Sequence, residues 1–323
     1  MSHRQTLGVN KLRINKRFRS RKHVLSKSVI YVYCPSEKEK KIKELSKKYL
    51  FDVVLNDYTI RDLTRKVICH YDCAILESKH KDFLVAATEA GAWVEPLVSY
   101  LDERLGYTEI ELLSSGYFLH QKAFSILSAK RTEIAKRVID VFFSFLLFLF
   151  ALPIGLVTAI LIKLESKGPI FYKQKRTGLY NIEFNVIKFR SMYVDAESNG
   201  AQWASENDLR ITRVGNFIRK TRIDELPQII NIIQGDMSIV GPRPEREVFI
   251  SELEKEIPYY RFRHAVKPGV TGLAQVRYPY GASIEDAKWK HKYDIYYIKH
   301  HKTLTDFKIL LKTIKIVIFG MGR

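Results

Sequence analysis

Asp224 and Glu225 sit side by side in "IRKTRIDELPQIINIIQGDMSIVGPRPE", residues 218–245, directly after Arg219, Lys220 and Arg222. Neighbouring positions on a helix point about 100° apart, so the two carboxylates cannot form a dyad sharing one proton. They can take two different tasks, one attacking an electrophile and the other holding a metal. Magnesium needs only one or two protein carboxylates when substrate phosphates complete its shell. The basic neighbours keep both acids ionised and offer donors to phosphate oxygens. Read together, these residues suit phosphoryl transfer on a diphosphate, with an acyl-phosphate intermediate if a carboxylate attacks. The same residue types also describe a helix start, with Asp224 capping an apolar face of Leu226, Ile229, Ile230 and Ile233 and Glu225 in solvent.

Two more basic elements accompany the pair. Pro242 and Pro244 flank Arg243 and limit its backbone, and a pre-positioned guanidinium suits bidentate phosphate recognition. Lys188 and Arg190 alternate about Phe189 in "VIKFRSM" and are expected on one strand face.

These groups need elements to hold them. "SVIYVY", "FDVVLN" and "CAILES" read as strands, and "EKEKKIKELSKKYL", "TIRDLTRK" and "DFLVAATEAGAW" as helices, a small doubly wound α/β domain over 28–120. It has neither G-x-G-x-x-G nor a P-loop, so a regulatory or dimerising role is expected rather than nucleotide chemistry. Residues 141–162, "VFFSFLLFLFALPIGLVTAILI", are uncharged and long enough to cross a bilayer. Pro153 removes a backbone donor near the middle. Lys130, Arg131, Lys136 and Arg137 precede the run, and Lys163, Lys167, Lys173, Lys175 and Arg176 follow it. Positive charge at both ends places both on the cytoplasmic side, which favours a re-entrant segment, about 138–162, bent at Pro153, over a straight span, the alternative these residues leave open. Asp140 is expected at headgroup level with its charge hydrated. "IFYKQKRTGLYNIEFNVIKFRSM" reads as two strands about Gly178, and "DFKILLKTIKIVIF" as an amphipathic helix on the membrane surface.

The formal charge of +19, from Lys+Arg 54 against Asp+Glu 35, must sit on a folded surface, because 46% hydrophobic residues rule out a disordered polycation. No nucleic-acid reader motif accompanies it. Residues 1–27 form a basic tail without acids, either a disordered extension or an anchor to an anionic surface. No signal peptide is apparent, so what precedes the apolar run is expected in the cytoplasm. Cys34, Cys69 and Cys73 complete no zinc site and read as free thiols.

Residues 131–323 resemble the bacterial sugar transferases, monotopic polyprenyl-phosphate phosphoglycosyl transferases. The motifs that carry the resemblance are "KRVIDV", the apolar run with its mid-helix proline, "GPIFYKQKRTG", "VIKFRSM", "RKTRIDELPQIINIIQGDMSIVGPRPE", "RHAVKPGVTGLAQV" and "KYDIYYIK". The resemblance implies a Rossmann-like first domain and a mixed α+β monotopic catalytic domain with a re-entrant helix and amphipathic surface helices. It implies transfer of a sugar-1-phosphate from a UDP-sugar to polyprenyl (undecaprenyl) phosphate with release of UMP. It also implies Asp224 as nucleophile and Glu225, with Asp224, at a Mg2+ site. Arg219 matches a phosphate-contacting arginine, Lys188, Arg190 and Arg243 match basic motif positions, and Pro153 matches the break of the membrane helix. The implied setting is the cytoplasmic face of the bacterial inner membrane, one leaflet deep, with a homodimer as a further expectation. "GPRPE" and "YPYGASIEDA" resemble the exopolysaccharide-associated branch and favour a plain hexose donor. Larger members carry spanning helices before the α/β domain, a pattern this sequence departs from. The rival reading is a basic membrane scaffold without turnover, which has no physical need for Asp224, Glu225 and Arg219 together.

Overall fold

Apolar runs bounded by charge and turn residues become strands in a computed structural model that describes residues 29–60, 62–120, 130–194, 196, 208–278, 281 and 283–318. The tail over 1–27 lies outside the described residues. The chain divides into two compact units, Met1–Leu105 and Gly106–Arg323.

The first unit runs β1 (Ile30–Tyr33), α1 (Glu39–Tyr49), β2 (Val53–Leu55), β3 (Val67–His70), α2 (Ser78–Glu89), β4 (Trp93–Pro96) and α3 (Leu97–Leu105). The strands form one parallel sheet in the order β2-β1-β3-β4, as alternation of strand and helix requires. α1 turns Ile42, Leu45 and Tyr49 inward at helical spacing, and Tyr33, Ile68, Leu84 and Ala87 build the core on the α2 side. Two expected elements are corrected. "TIRDLTRK" forms no helix among its described residues, and the third strand is Val67–His70 rather than "CAILES". The Asp72 carboxylate accepts from Ala74 N–H at 3.0 Å, which curls Cys73–Ile75 into a 3-10 turn.

The second unit contains α4 (Ser115–His120), α5 (Lys130–Glu165), β5 (Phe171–Thr177), β6 (Glu183–Phe189), α6 (Arg213–Lys220), α7 (Gln228–Gln234), β7 (Ser238–Val240), α8 (Glu247–Glu256), β8 (Gly269–Thr271), α9 (Leu273–Arg277), α10 (Ile284–Lys299) and α11 (Thr303–Ile318). Residues 106–120 pack within this unit: Thr108 N–H donates to the Lys292 carbonyl at 3.1 Å, and Lys292 pairs with Glu109 at 2.9 Å. β5 and β6 are an antiparallel hairpin about Gly178, matching the expectation. β7 and β8 pair in parallel, Ser238 with Gly269 and Val240 with Thr271. Their backbones approach so closely that a Cβ on Gly269 would lie 2.1 Å from Gly241 N. This contact, rather than irregularity, accounts for the glycines of "VGPRPE" and "KPGVTG".

Among the described residues α5 is the one helix long and apolar enough to cross a membrane, by length and composition. Phe142, Phe145, Leu149, Phe150, Leu156 and Ile160 all face outward. The helix continues on both sides of Pro153. Both of its ends are tied to the second unit. Near the start, Arg137 donates to the carbonyls of Ile232 and Ile233, the latter at 2.6 Å, at the C-terminal end of α7. Asp140 is 4% exposed and accepts from Ile239 N–H at 3.1 Å, so it is buried rather than hydrated at headgroup level. Its carboxylate satisfies a β7 donor that would otherwise be orphaned. At the far end Ile162 packs with Phe189 and Ile218, and Glu165 accepts from Arg213 N–H (2.7 Å) and Val214 N–H (3.1 Å). Glu165 thereby joins Thr212 in capping α6, where a carboxylate also meets the positive end of the helix.

Candidate active site

Asp224 and Glu225 lie in neither a regular α-helix nor a helix cap. They occupy a 3-10 turn, Ile223–Glu225, between α6 and α7. Arg222, just before it, adopts φ 61° and ψ 12°, the left-handed region, which ends α6 and turns the chain inward. Such a conformation costs a non-glycine residue about 1–2 kcal/mol. Ile223 and Leu226 on either side are packed against the Ile162–Phe189–Ile218 cluster, so the acidic pair sits on an apolar foundation.

The two carboxylates meet unlike surroundings. Glu225 Oε1 accepts from Lys188 Nζ at 3.0 Å and from Arg243 Nη2 at 2.5 Å, while Arg243 Nη1 lies 3.5 Å from Oε2. Burial raises the Glu225 carboxyl, but the Arg243 and Lys188 charges and the Arg243 hydrogen bond outweigh it and hold the group well below the usual range. Asp224, 8% exposed, keeps Oδ1 buried without a partner. Its pKa is pushed up by burial and by the neighbouring Glu225 charge, against the pull of Lys188 and Arg243. Lys188 itself is pushed down by burial, against the pull of Glu225. Of this adjacent pair, one carboxylate is neutralised and held fast, and the other is the more basic.

The hairpin, the turn and the β7–α8 loop each supply one member of the cluster. Asn231 on α7 locks the hairpin in place: its Oδ1 accepts from Ile187 N–H at 3.0 Å and its Nδ2 donates to the Asn185 carbonyl at 2.8 Å. That fixes the β6 backbone one residue before Lys188. Arg176 on β5 stands in the same electrostatic field, donating to the Pro244 carbonyl (3.3 Å) and to Glu245 (3.4 Å).

The other expected site residues lie elsewhere. Arg190 does not reach the Glu225 cluster. It donates to the carbonyls of Lys167 (2.7 Å) and Ser166 (2.8 Å) and to Ser166 Oγ (3.0 Å), capping the C-terminal end of α5. It crosses close over Gly168, whose φ of +124° belongs to glycine. Arg219 stands on the last turn of α6; among the described residues no ion pair ties it to Asp224 or Glu225. Pro153 is far along α5 in sequence and contributes no side chain to the cluster. Asn231 and Arg176 escaped sequence reasoning. A polar residue inside the apolar run "QIINIIQ" was the available signal for Asn231, which is 1% exposed.

The Mg2+ implied by the resemblance fits these residues. Asp224 Oδ1 is a buried acceptor lacking a donor, and Glu225 Oε2 retains acceptor capacity. Two carboxylates are what Mg2+ takes when phosphates and water supply the remainder.

The family described as "Bacterial sugar transferase" matches residues 131–320. Over 205 residues the chain is 44% identical to an Aeromonas hydrophila protein named UDP-N-acetylgalactosamine-undecaprenyl-phosphate N-acetylgalactosaminephosphotransferase, covering 63% of this chain and 48% of that relative. Over 227 residues it is 36% identical to a Caulobacter vibrioides UDP-glucose:undecaprenyl-phosphate glucose-1-phosphate transferase, covering 69% of this chain and 85% of that relative. A Rhizobium leguminosarum exopolysaccharide production protein is 39% identical over 187 residues, 56% of this chain and 94% of the relative. The chain thus spans about half the length of the Aeromonas relative and most of the other two.

Proposed function

The chain belongs to the bacterial sugar transferase family, and we propose that it transfers a sugar-1-phosphate from a UDP-sugar to polyprenyl phosphate through a covalent Asp224 intermediate. The observation that carries this reading is the contrast between adjacent carboxylates: Glu225 is held by two cations, and Asp224 is buried with an unpartnered oxygen. An Asp224 oxygen attacks the sugar-proximal phosphorus. The new O–P bond forms as the bond to the bridging oxygen breaks, and that electron pair leaves on UMP. A phosphate oxygen of the polyprenyl acceptor then attacks the same phosphorus, and the carboxylate of Asp224 departs unchanged.

The chain's own residues prepare both steps. Burial makes Asp224 the more basic carboxylate and strips the water that would blunt its attack. Lys188 and Arg243 oppose the negative charge of an arriving diphosphate. Asp224 and Glu225 would hold Mg2+, which when bound neutralises charge on the transferred phosphate. Arg219 and Arg190 are assigned to phosphate contact and to holding the exit of α5, respectively.

α5 supports a membrane setting. A straight helix places Asp140 and Ile162 about 33 Å apart, close to the roughly 30 Å of a hydrocarbon core. Their contacts, β7 on one side and the β6–α6 core on the other, belong to one compact unit. A re-entrant path bent at Pro153 keeps both ends on the cytoplasmic face, with α11 lying along the surface. The reacting groups then meet at headgroup depth, where a lipid phosphate sits and a soluble nucleotide sugar arrives. The Rossmann-like first unit is assigned a regulatory or dimerising role, and the product an exopolysaccharide pathway.

The test is UMP release by detergent-solubilised protein with Mg2+, undecaprenyl phosphate and a panel that includes UDP-glucose and UDP-N-acetylgalactosamine, since the relatives' names divide between those sugars. One active donor, a mass increment of one phosphosugar on the protein without acceptor, and silence in Asp224→Asn are expected. Turnover that survives in Asp224→Asn would overturn the covalent mechanism.

A further inference from the structure

Arg243 reaches Glu225 from a loop whose backbone is itself held by a buried guanidinium. Arg263, in the 3-10 turn Tyr260–Ala265, is 2% exposed, and its Nη2 donates to the Arg243 carbonyl at 3.0 Å. The same nitrogen lies 2.8 Å from Asp294 Oδ2 on α10, and Nη1 donates to the Tyr260 hydroxyl at 2.6 Å. The aromatic ring of Tyr260 stands 5.1 Å from the guanidinium carbon. Both partners of the Arg263–Asp294 pair are buried, and a buried ion pair adds little that a well-packed apolar pair would not supply. Its place in the fold is better explained by the Arg243 carbonyl it grips.

We propose that Arg263, oriented by Asp294, is a positioning residue for the transfer reaction: it fixes the backbone of Arg243 so that the Arg243 side chain meets Glu225. The inference rests on the reaction proposed above. Three constraints converge on this one residue of the loop. Pro242 and Pro244 restrict the backbone on either side. The Pro242 carbonyl accepts from Gly269 N–H at 2.9 Å. Arg263 takes the carbonyl of Arg243 itself. Only a planar fork can address Asp294, the Tyr260 hydroxyl and that carbonyl together, and a lysine at 263 would retain the charge and lose the geometry. Arg263 touches neither Asp224 nor Glu225 among the described residues, so its effect passes through Arg243.

A double-mutant cycle separates positioning from general support of the fold. Arg263→Lys, Arg243→Ala and the double variant are compared with wild type for UMP release, with melting followed in parallel. Arg263→Lys is expected to lower kcat/KM roughly tenfold to a hundredfold, the scale of one lost charge-assisted bond. In the Arg243→Ala background the same change should cost less than about twofold. An equal factor in both backgrounds overturns the proposal. If Arg263→Lys does not fold, Asp294→Asn takes its place in the cycle with the same two expectations. Should wild type release UMP from no donor, the reaction reading fails separately, and the cycle is read as affinity for inorganic pyrophosphate by calorimetry. Non-additive loss there supports the positioning of Arg243, and additive loss refutes it.

Discussion

Asp224 and Glu225 are adjacent carboxylates, and neutralising them one at a time should move stability in opposite directions. In Asp224→Asn a buried oxygen with no donor is replaced by an amide of the same shape. The group's pKa is raised on folding, so the stability linked to its proton is complete below the unfolded value and is lost as pH rises through the folded value. At neutral pH the wild-type carboxylate therefore weakens the fold, and removing its charge is expected to recover part of that loss. For Glu225→Gln the sign reverses. Its pKa is depressed, so its contribution is present above the unfolded value and lost as pH falls through the folded value. Removing that charge leaves Lys188 and Arg243 facing each other. A fully buried pair broken this way costs about 3–5 kcal/mol, and partial exposure of the two cations reduces that to about 2–4 kcal/mol. The expected melting shifts are a few degrees upward for Asp224→Asn and about 5–15 °C downward for Glu225→Gln. Both variants should fail to release UMP. Differential scanning fluorimetry in detergent at pH 7.5, paired with the UMP assay, reads all four values. An Asp224→Asn protein that melts below wild type would show the carboxylate to be a structural acceptor and refute the reasoning.

Acid should unfold the second unit through its buried histidines. His264 and His291 are pushed down to about 3 by burial, so each loses about 1.4 kcal/mol per pH unit below the unfolded value near 6.5. Asp294, raised to about 6 by burial against Arg263, opposes them by binding its proton in the folded state. The net expectation is a loss of about 3 kcal/mol between pH 7.5 and 5, read from denaturant midpoints; unchanged midpoints would refute it. Gly215→Ala would put a Cβ 1.9 Å from the Ser191 carbonyl oxygen, and should destabilise by about 1–3 kcal/mol as α6 shifts off the hairpin. Asn231→Ala orphans Ile187 N–H and the Asn185 carbonyl. It should cost about 2–3 kcal/mol and slow UMP release through Lys188, an effect that kinetics and melting on one preparation would separate.

Local patterns carried much of this molecule. The alternation of "SVIYVY", the apolar length of residues 141–162 and the two runs about Gly178 each define an element through short-range chemistry, and each is present. Glu225, Lys188 and Arg243, distant in sequence, were readable as one basic and acidic group and do come together. What escaped was decided by tertiary partners. "VICH" pairs with β1 and β4, while the Asp72 turn curls the start of "CAILES" into a 3-10 turn. Arg190 matches a basic motif, yet its donors go to the end of α5, because helix carbonyls there lack partners. Asp140 looks like a solvated charge in sequence, since nothing nearby foretells that Ile239 N–H needs it. The Arg263–Asp294 pair joins two stretches whose individual charges look like ordinary surface residues.

The bond between Asp140 and Ile239 also bears on the order in which the molecule is made. The two residues are 99 positions apart. At roughly 5–20 residues per second, synthesis leaves about 5–20 seconds in which the Asp140 carboxylate exists and its partner does not. Asn231 and Arg243 appear in that same late stretch of chain. The apolar helix emerges before any of the reacting groups are assembled. If α5 enters the membrane as it emerges, the charge cluster is built against a helix already seated; a chain held away from membranes would fold around an exposed α5 with Asp140 unpaired.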